Sequence, residues 1–68
     1  MDAVKIGTTL KQLREKKGKT LQEVQEDTGI DISLLSRYEN GERIPSDNNK
    51  KRLANYYKRT VSGIFFAD

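Results

Sequence analysis

Residues 20–41 read TLQEVQEDTGIDISLLSRYENG, and the spacing of the apolar residues in that stretch decides the fold. Leu21, Val24 and Thr28 recur at three and four residues, which lines one face of a helix with a 3.6-residue period. Leu34, Leu35 and Tyr38 line a second face further on. Gly29 punctuates the two, Thr20 and Asp31 stand where helix N-caps are wanted, and Asn40-Gly41 suits a left-handed C-terminal stop. The spacing predicts helices over about 21–28 and 32–40. The turn between them is too short to let them lie antiparallel, so they cross steeply as a helix-turn-helix. The second helix is anchored by its oily side and presents Ser33, Ser36, Arg37 and Asn40 on the other.

The same punctuation extends outward. Upstream, Ile6, Leu10 and Leu13 share a face of a helix over about 5–17, with Arg14 on its border and Gly18 after its end. Downstream, Pro45 and Ser46 open a helix over about 46–58 that buries Leu53, Ala54 and Tyr57. Thr60 caps a last helix, about 61–67, with Val61, Ile64 and Phe65 inward and Phe66 facing elsewhere. Gly63 weakens that helix by about 1 kcal/mol against alanine. Low-complexity stretches, repeats and strand patterns are absent, so 1–68 reads as one all-α domain of five short helices.

Composition bounds the chemistry. At 68 residues and 34% hydrophobic content there is enough for one small core. With no Cys and no His, the chain lacks disulfides, the strongest nucleophile, the usual general base and the common transition-metal ligands. An enzyme would be left with carboxylate or lysine chemistry. The expectation is therefore a non-enzyme with no cofactor, no metal and no evident small-molecule site. No apolar run approaches a membrane span, and the missing cysteines suit a cytoplasmic setting. Thirteen basic residues against 10 acidic give only +3, yet the charges are segregated into basic KQLREKKGK and NNKKR and acidic QEVQED. A basic face suits a polyanion, and solvated lysines on an exposed helix are the plain alternative.

The polar side of the second crossing helix has its own pair of readings. It is simply wet, or it meets a major groove, where serine hydroxyls pair with base edges, Arg37 holds O6 and N7 of a guanine, and Ile32 rests on a thymine methyl.

KIGTTLKQLREKKGKTLQEVQEDTGIDISLLSRYENGERIPS followed by LANYYKRTVSGIFF closely resembles the helix-turn-helix family of phage Cro and CI-type repressors and Xre-like regulators. The resemblance runs from about Ile6 to Phe66. It is carried by LxxLR in the first helix, TLxEV opening the second, Gly29 in the turn, SRYENG ending the third and IPS opening the fourth. It implies a lambda-repressor-like five-helix domain that binds double-stranded operator DNA with the third helix in the major groove. Ile32, Ser33, Ser36 and Arg37 are then the candidate base readers. Thr20, Leu21 and Gln22 would meet a phosphate at the start of the second helix, and Asn40 and Arg43 would touch the sugar-phosphate backbone. Arg14 and Glu39 match an internal salt bridge of relatives. The resemblance further implies a transcriptional regulator, most often a repressor, at the nucleoid.

Some positions depart from the family pattern. Gln25 stands where Ala is usual and two helices nearly touch, so its amide either reaches out of the packing or bonds across it. Asp31 is a good N-cap but sets a negative charge near the presumed groove. Lys58 takes the corner often held by Gly or Asn, at a backbone cost. Lys50, Lys51 and Arg52 either reach flanking phosphates or are solvated. Phe66, with Tyr56 as a neighbour, is a candidate homodimer contact, against the reading that it folds under the terminus. The competing function is a protein-interaction adaptor that keeps the fold without specific DNA binding; Gln25, Asp31 and the acidic Glu23, Glu26 and Asp27 motivate it, and its partner would be a regulatory protein.

Overall fold

A computed structural model describes residues 1–66. Five helices follow one another: α1 (Ala3–Lys17), α2 (Leu21–Thr28), α3 (Ile32–Glu39), α4 (Asp47–Tyr56) and α5 (Val61–Phe65). Among the described residues there is no strand, and no helix is long and apolar enough to cross a membrane.

Side-chain caps set the helix starts. Asp2 accepts from the N–H groups of Val4 (3.0 Å) and Lys5 (3.2 Å), so α1 begins at Ala3, ahead of the apolar periodicity that marks the helix from about residue 5. Ser46 caps Asn49 N–H, which makes Asp47 the first residue of α4. That helix closes at Tyr56, short of residue 58, because Lys58 takes a left-handed φ of 55° and turns the chain toward α5. Asn40 is the C-cap of α3, and the left-handed φ of 74° falls on Gly41. Described helix α5 ends at Phe65, and residue 67 lies outside the described residues.

The apolar faces meet in one core of Ile6, Leu10, Val24, Ile30, Leu35, Tyr38, Leu53, Ala54, Tyr57, Ile64 and Phe65. Leu13, Leu21, Leu34, Tyr56 and Val61 pack against it, half-buried. Ile30 sits in the turn between α2 and α3, outside either helical period, and is nevertheless 2% exposed. Thr28 fixes that turn, its hydroxyl donating to Val24 C=O at 2.7 Å and accepting from Ile30 N–H at 3.2 Å. Gly7, in the first two turns of α1, lies directly against the last carbonyls of α3. A methyl there would stand 2.5 Å from the Glu39 carbonyl oxygen and 2.6 Å from that of Tyr38.

Candidate nucleic-acid interface

The start of α2 is a complete capping box. Thr20 Oγ1 accepts from Glu23 N–H at 3.1 Å, and Glu23 Oε1 accepts from Thr20 N–H at 2.9 Å. The backbone bond from Thr20, then its hydroxyl, hold the Glu23 carboxyl below its ordinary range. The N–H groups of Leu21 and Gln22 have no partner among the described residues. Two free donors at the positive end of a helix suit an anion such as a phosphate oxygen.

The start of α3 is the opposite case, because its first two amides are already engaged. Gln25 reaches across the turn and its Oε1 accepts from Ile32 N–H at 2.7 Å. Asp31 Oδ2 accepts from Ser33 N–H at 2.9 Å and also from the Ser33 hydroxyl. Leu35 N–H bonds the Asp31 carbonyl at 3.0 Å. The Ser33 hydroxyl first, then its N–H, keep the Asp31 carboxyl below the usual range. Of the two ways open to the long amide of Gln25, it bonds across the packing. It thereby ties α2 to the first residue of α3.

On α3 itself, Leu35 and Tyr38 are buried while Ile32, Ser33 and Arg37 are exposed and Ser36 is half-buried. Asn40 is exposed at the C-cap, its Nδ2 3.4 Å from Ser36 Oγ. Arg43 is exposed in the segment that follows. Among the described residues, neither Arg37 nor Arg43 makes an ion pair. Their guanidinium groups are open to an external partner.

Other charges are committed within the chain. Arg14 holds Glu39 with two bonds, Nε to Oε2 at 2.8 Å and Nη2 to Oε1 at 3.0 Å, while its Nη1 donates to Lys19 C=O at 2.9 Å. The Glu39 bond raises the Arg14 pKa further above its already high value, against the pull of burial. Tyr38 is fixed from the α4 side, its hydroxyl accepting from Asn49 Nδ2 at 2.9 Å. Tyr56 donates to Asp27 Oδ2 at 2.6 Å, lies edge-on to Tyr57 with centroids 4.9 Å apart, and has Lys17 Nζ over its ring at 4.8 Å. That bond depresses the Asp27 carboxyl, which Lys19 also approaches at 3.7 Å.

Tyr56 and Phe66 therefore have different surroundings. Phe66 is 56% exposed, with Lys50 Nζ over its ring at 5.3 Å. Among the described residues Lys50 is the one buried charged residue, also 3.6 Å from Asp47, so it is poorly placed to reach a phosphate; Lys51 and Arg52 are exposed. Gly7 and Asn49 support α3 and were not singled out by periodicity. The signal for Gly7 was there, a glycine beside Ile6 on the inward face of a helix. No three acidic side chains among the described residues converge to hold a metal.

Two short helices joined by a turn at Gly29 and packed on each other, free amides at the first and an outward arginine on the second are the arrangement of a DNA-binding helix-turn-helix domain. The helix-turn-helix family model of the Cro/C1 type matches residues 10–64, and the chain belongs to that family of DNA-binding, Xre-like regulators. Comparison with curated proteins and with solved structures gave no match.

Proposed function

We propose that the protein is a sequence-specific regulator of transcription that acts as a repressor, covering an operator so that polymerase or another factor cannot use it. Helix α3 enters the major groove with Ile32, Ser33, Ser36 and Arg37 on the bases. The free amides of Leu21 and Gln22, with Thr20, meet one phosphate, and Asn40 and Arg43 meet the sugar-phosphate backbone. The observation that carries this reading is the exposed, unpaired Arg37 on the side of α3 opposite buried Leu35 and Tyr38. Binding at the nucleoid as a homodimer would set two reading helices about 34 Å apart, with exposed Phe66 at the two-fold contact. Tyr56, engaged with Asp27, would contribute its remaining exposed edge.

The adaptor reading loses much of its motive. Glu23 closes a capping box, Asp27 holds Tyr56 and Lys19, and Gln25 caps α3, so these groups are engaged within the chain.

The test is a pair of substitutions assayed on selected and random duplexes over a range of salt. Arg37→Ala should abolish the preference for the selected site with little loss of stability. Arg43→Ala should weaken binding to all duplexes and lower the salt slope by about one. An unchanged footprint with Arg37→Ala would remove the central assignment.

A further inference from the structure

The direction of one hydroxyl proton determines what the tip of α3 can recognise, an inference that rests on the major-groove reading above. Asp31 Oδ2 accepts from Ser33 N–H at 2.9 Å and is also bonded to Ser33 Oγ. An ionised carboxylate can only accept, so the proton in the second bond belongs to the serine and points back toward Asp31. Ser33 Oγ is left with lone pairs for anything outside. Both residues are exposed, so the tip offers an acceptor hydroxyl beside an acceptor carboxylate. In the major groove such a tip pairs with the N6 amino group of adenine or the N4 amino group of cytosine. It repels guanine N7 and O6 and thymine O4, which are acceptors themselves.

The rest of the helix has the other polarity. Arg37 can only donate, and Ser36 Oγ lies 3.4 Å from Asn40 Nδ2, with no carboxylate drawing off its proton. We propose that Asp31 is a positioning residue for base recognition: by holding the Ser33 hydroxyl proton it makes the tip of α3 select an exocyclic amino group, of adenine or cytosine. The negative charge that opposes the DNA backbone is then what gives the tip its selectivity.

The test uses the full chain and a duplex enriched by it from random DNA. Single adenines are replaced by purine and single cytosines by 2-pyrimidinone, which removes one amino group at a time. One such deletion should weaken the wild-type complex about tenfold, the size of a good base contact. The same deletion should have no effect on Ser33→Ala. It should have a much smaller effect on Asp31→Ser, which keeps a capping oxygen, as its circular dichroism should show, but lacks the carboxylate that holds the Ser33 proton. Sensitivity that persists undiminished in Asp31→Ser would overturn the proposal, as would a wild-type complex indifferent to every amino deletion. Those results leave the major-groove reading standing. Failure of the wild type to enrich any sequence at low salt would defeat that reading and this inference together.

Discussion

Replacing Gly7 by alanine sets two physical effects of opposite sign against each other. Helix propensity alone favours the substitution by about 1 kcal/mol at an interior helical position. The packing opposes it, because the new methyl would lie 2.5 Å from the Glu39 carbonyl oxygen and 2.6 Å from that of Tyr38. To restore an ordinary 3.4 Å contact, α1 and the end of α3 must separate by roughly 0.9 Å. Neither partner is a flexible side-chain end that could swing aside; both are backbone at a helix terminus. Separation would loosen Ile6 and Leu10 within the core they share with Leu35 and Tyr38. Overpacking of this kind costs about 1–3 kcal/mol, and a clash with two carbonyls belongs at the upper end. The net expectation is a loss of about 2 kcal/mol, a large share of the stability of so short a chain. For a domain of this size that lowers Tm by about 8–16 °C. Thermal and urea denaturation followed by circular dichroism at 222 nm would measure it. A Tm equal to or above that of the wild type would mean that propensity wins, and the close approach of α1 to α3 would be refuted.

Gln25→Ala restores the residue usual in the family and leaves Ile32 N–H without its 2.7 Å partner, so urea unfolding should register a loss of about 1 kcal/mol; a gain would show that the amide is strained into place. Glu39→Ala strands the largely buried Arg14 and should cost about 2–3 kcal/mol, whereas replacing both residues by methionine should recover most of it in a double-mutant cycle. The pH dependence has two limbs. Glu23, Asp27 and Asp31 have folded pKa values below their unfolded ones, so their stabilisation is complete above about pH 4.5 and lost as pH falls through the folded values. Tyr57, pushed up to about 12 by burial, behaves in reverse: its stabilisation is complete below about pH 10 and lost as pH rises through 12. A Tm that stays flat below pH 4 or between pH 10 and 12 would contradict the corresponding limb.

What was legible in the sequence follows from where the information is stored. Apolar residues at helical spacing, such as Ile6 and Leu10 or Leu53 and Ala54, give away their burial because one helix fixes which of them face together. Ile30 escaped because a turn residue has no period. Asp2 escaped because a cap ahead of the first apolar residue has no pattern to precede. Gln25 was legible as an anomaly, a long amide on an inward stripe, but its bond to Ile32 N–H depends on the path of the turn. Lys50 lies in a basic run, and only the packing of α4 against α5 shows its ammonium over Phe66 while Lys51 is exposed. At the interface, sequence could nominate Ser33 as a polar group but could not say that its proton points to Asp31.

The devices that hold α3 are spread over three other helices, and this distribution bears on recognition. Its last turn rests on α1, through the Gly7 contact and the Arg14 bonds to Glu39. Its first residue is held by Gln25 of α2, and Tyr38 is bonded from α4 by Asn49. Reading bases by hydrogen bonds requires side chains placed to within about 0.5 Å, and a helix of eight residues cannot set its own pose. The glycine, the amide and the ion pair fix both ends of the helix while leaving the outward side chains of Ile32 and Arg37 unengaged. On the proposed major-groove reading, a change at Gly7 or Gln25 should therefore disturb recognition as well as stability, even though neither residue lies on the outward face of α3. The loss of specific affinity should follow the displacement of α3, and nonspecific, salt-sensitive binding should change far less, because phosphate contacts tolerate a shift that base edges do not.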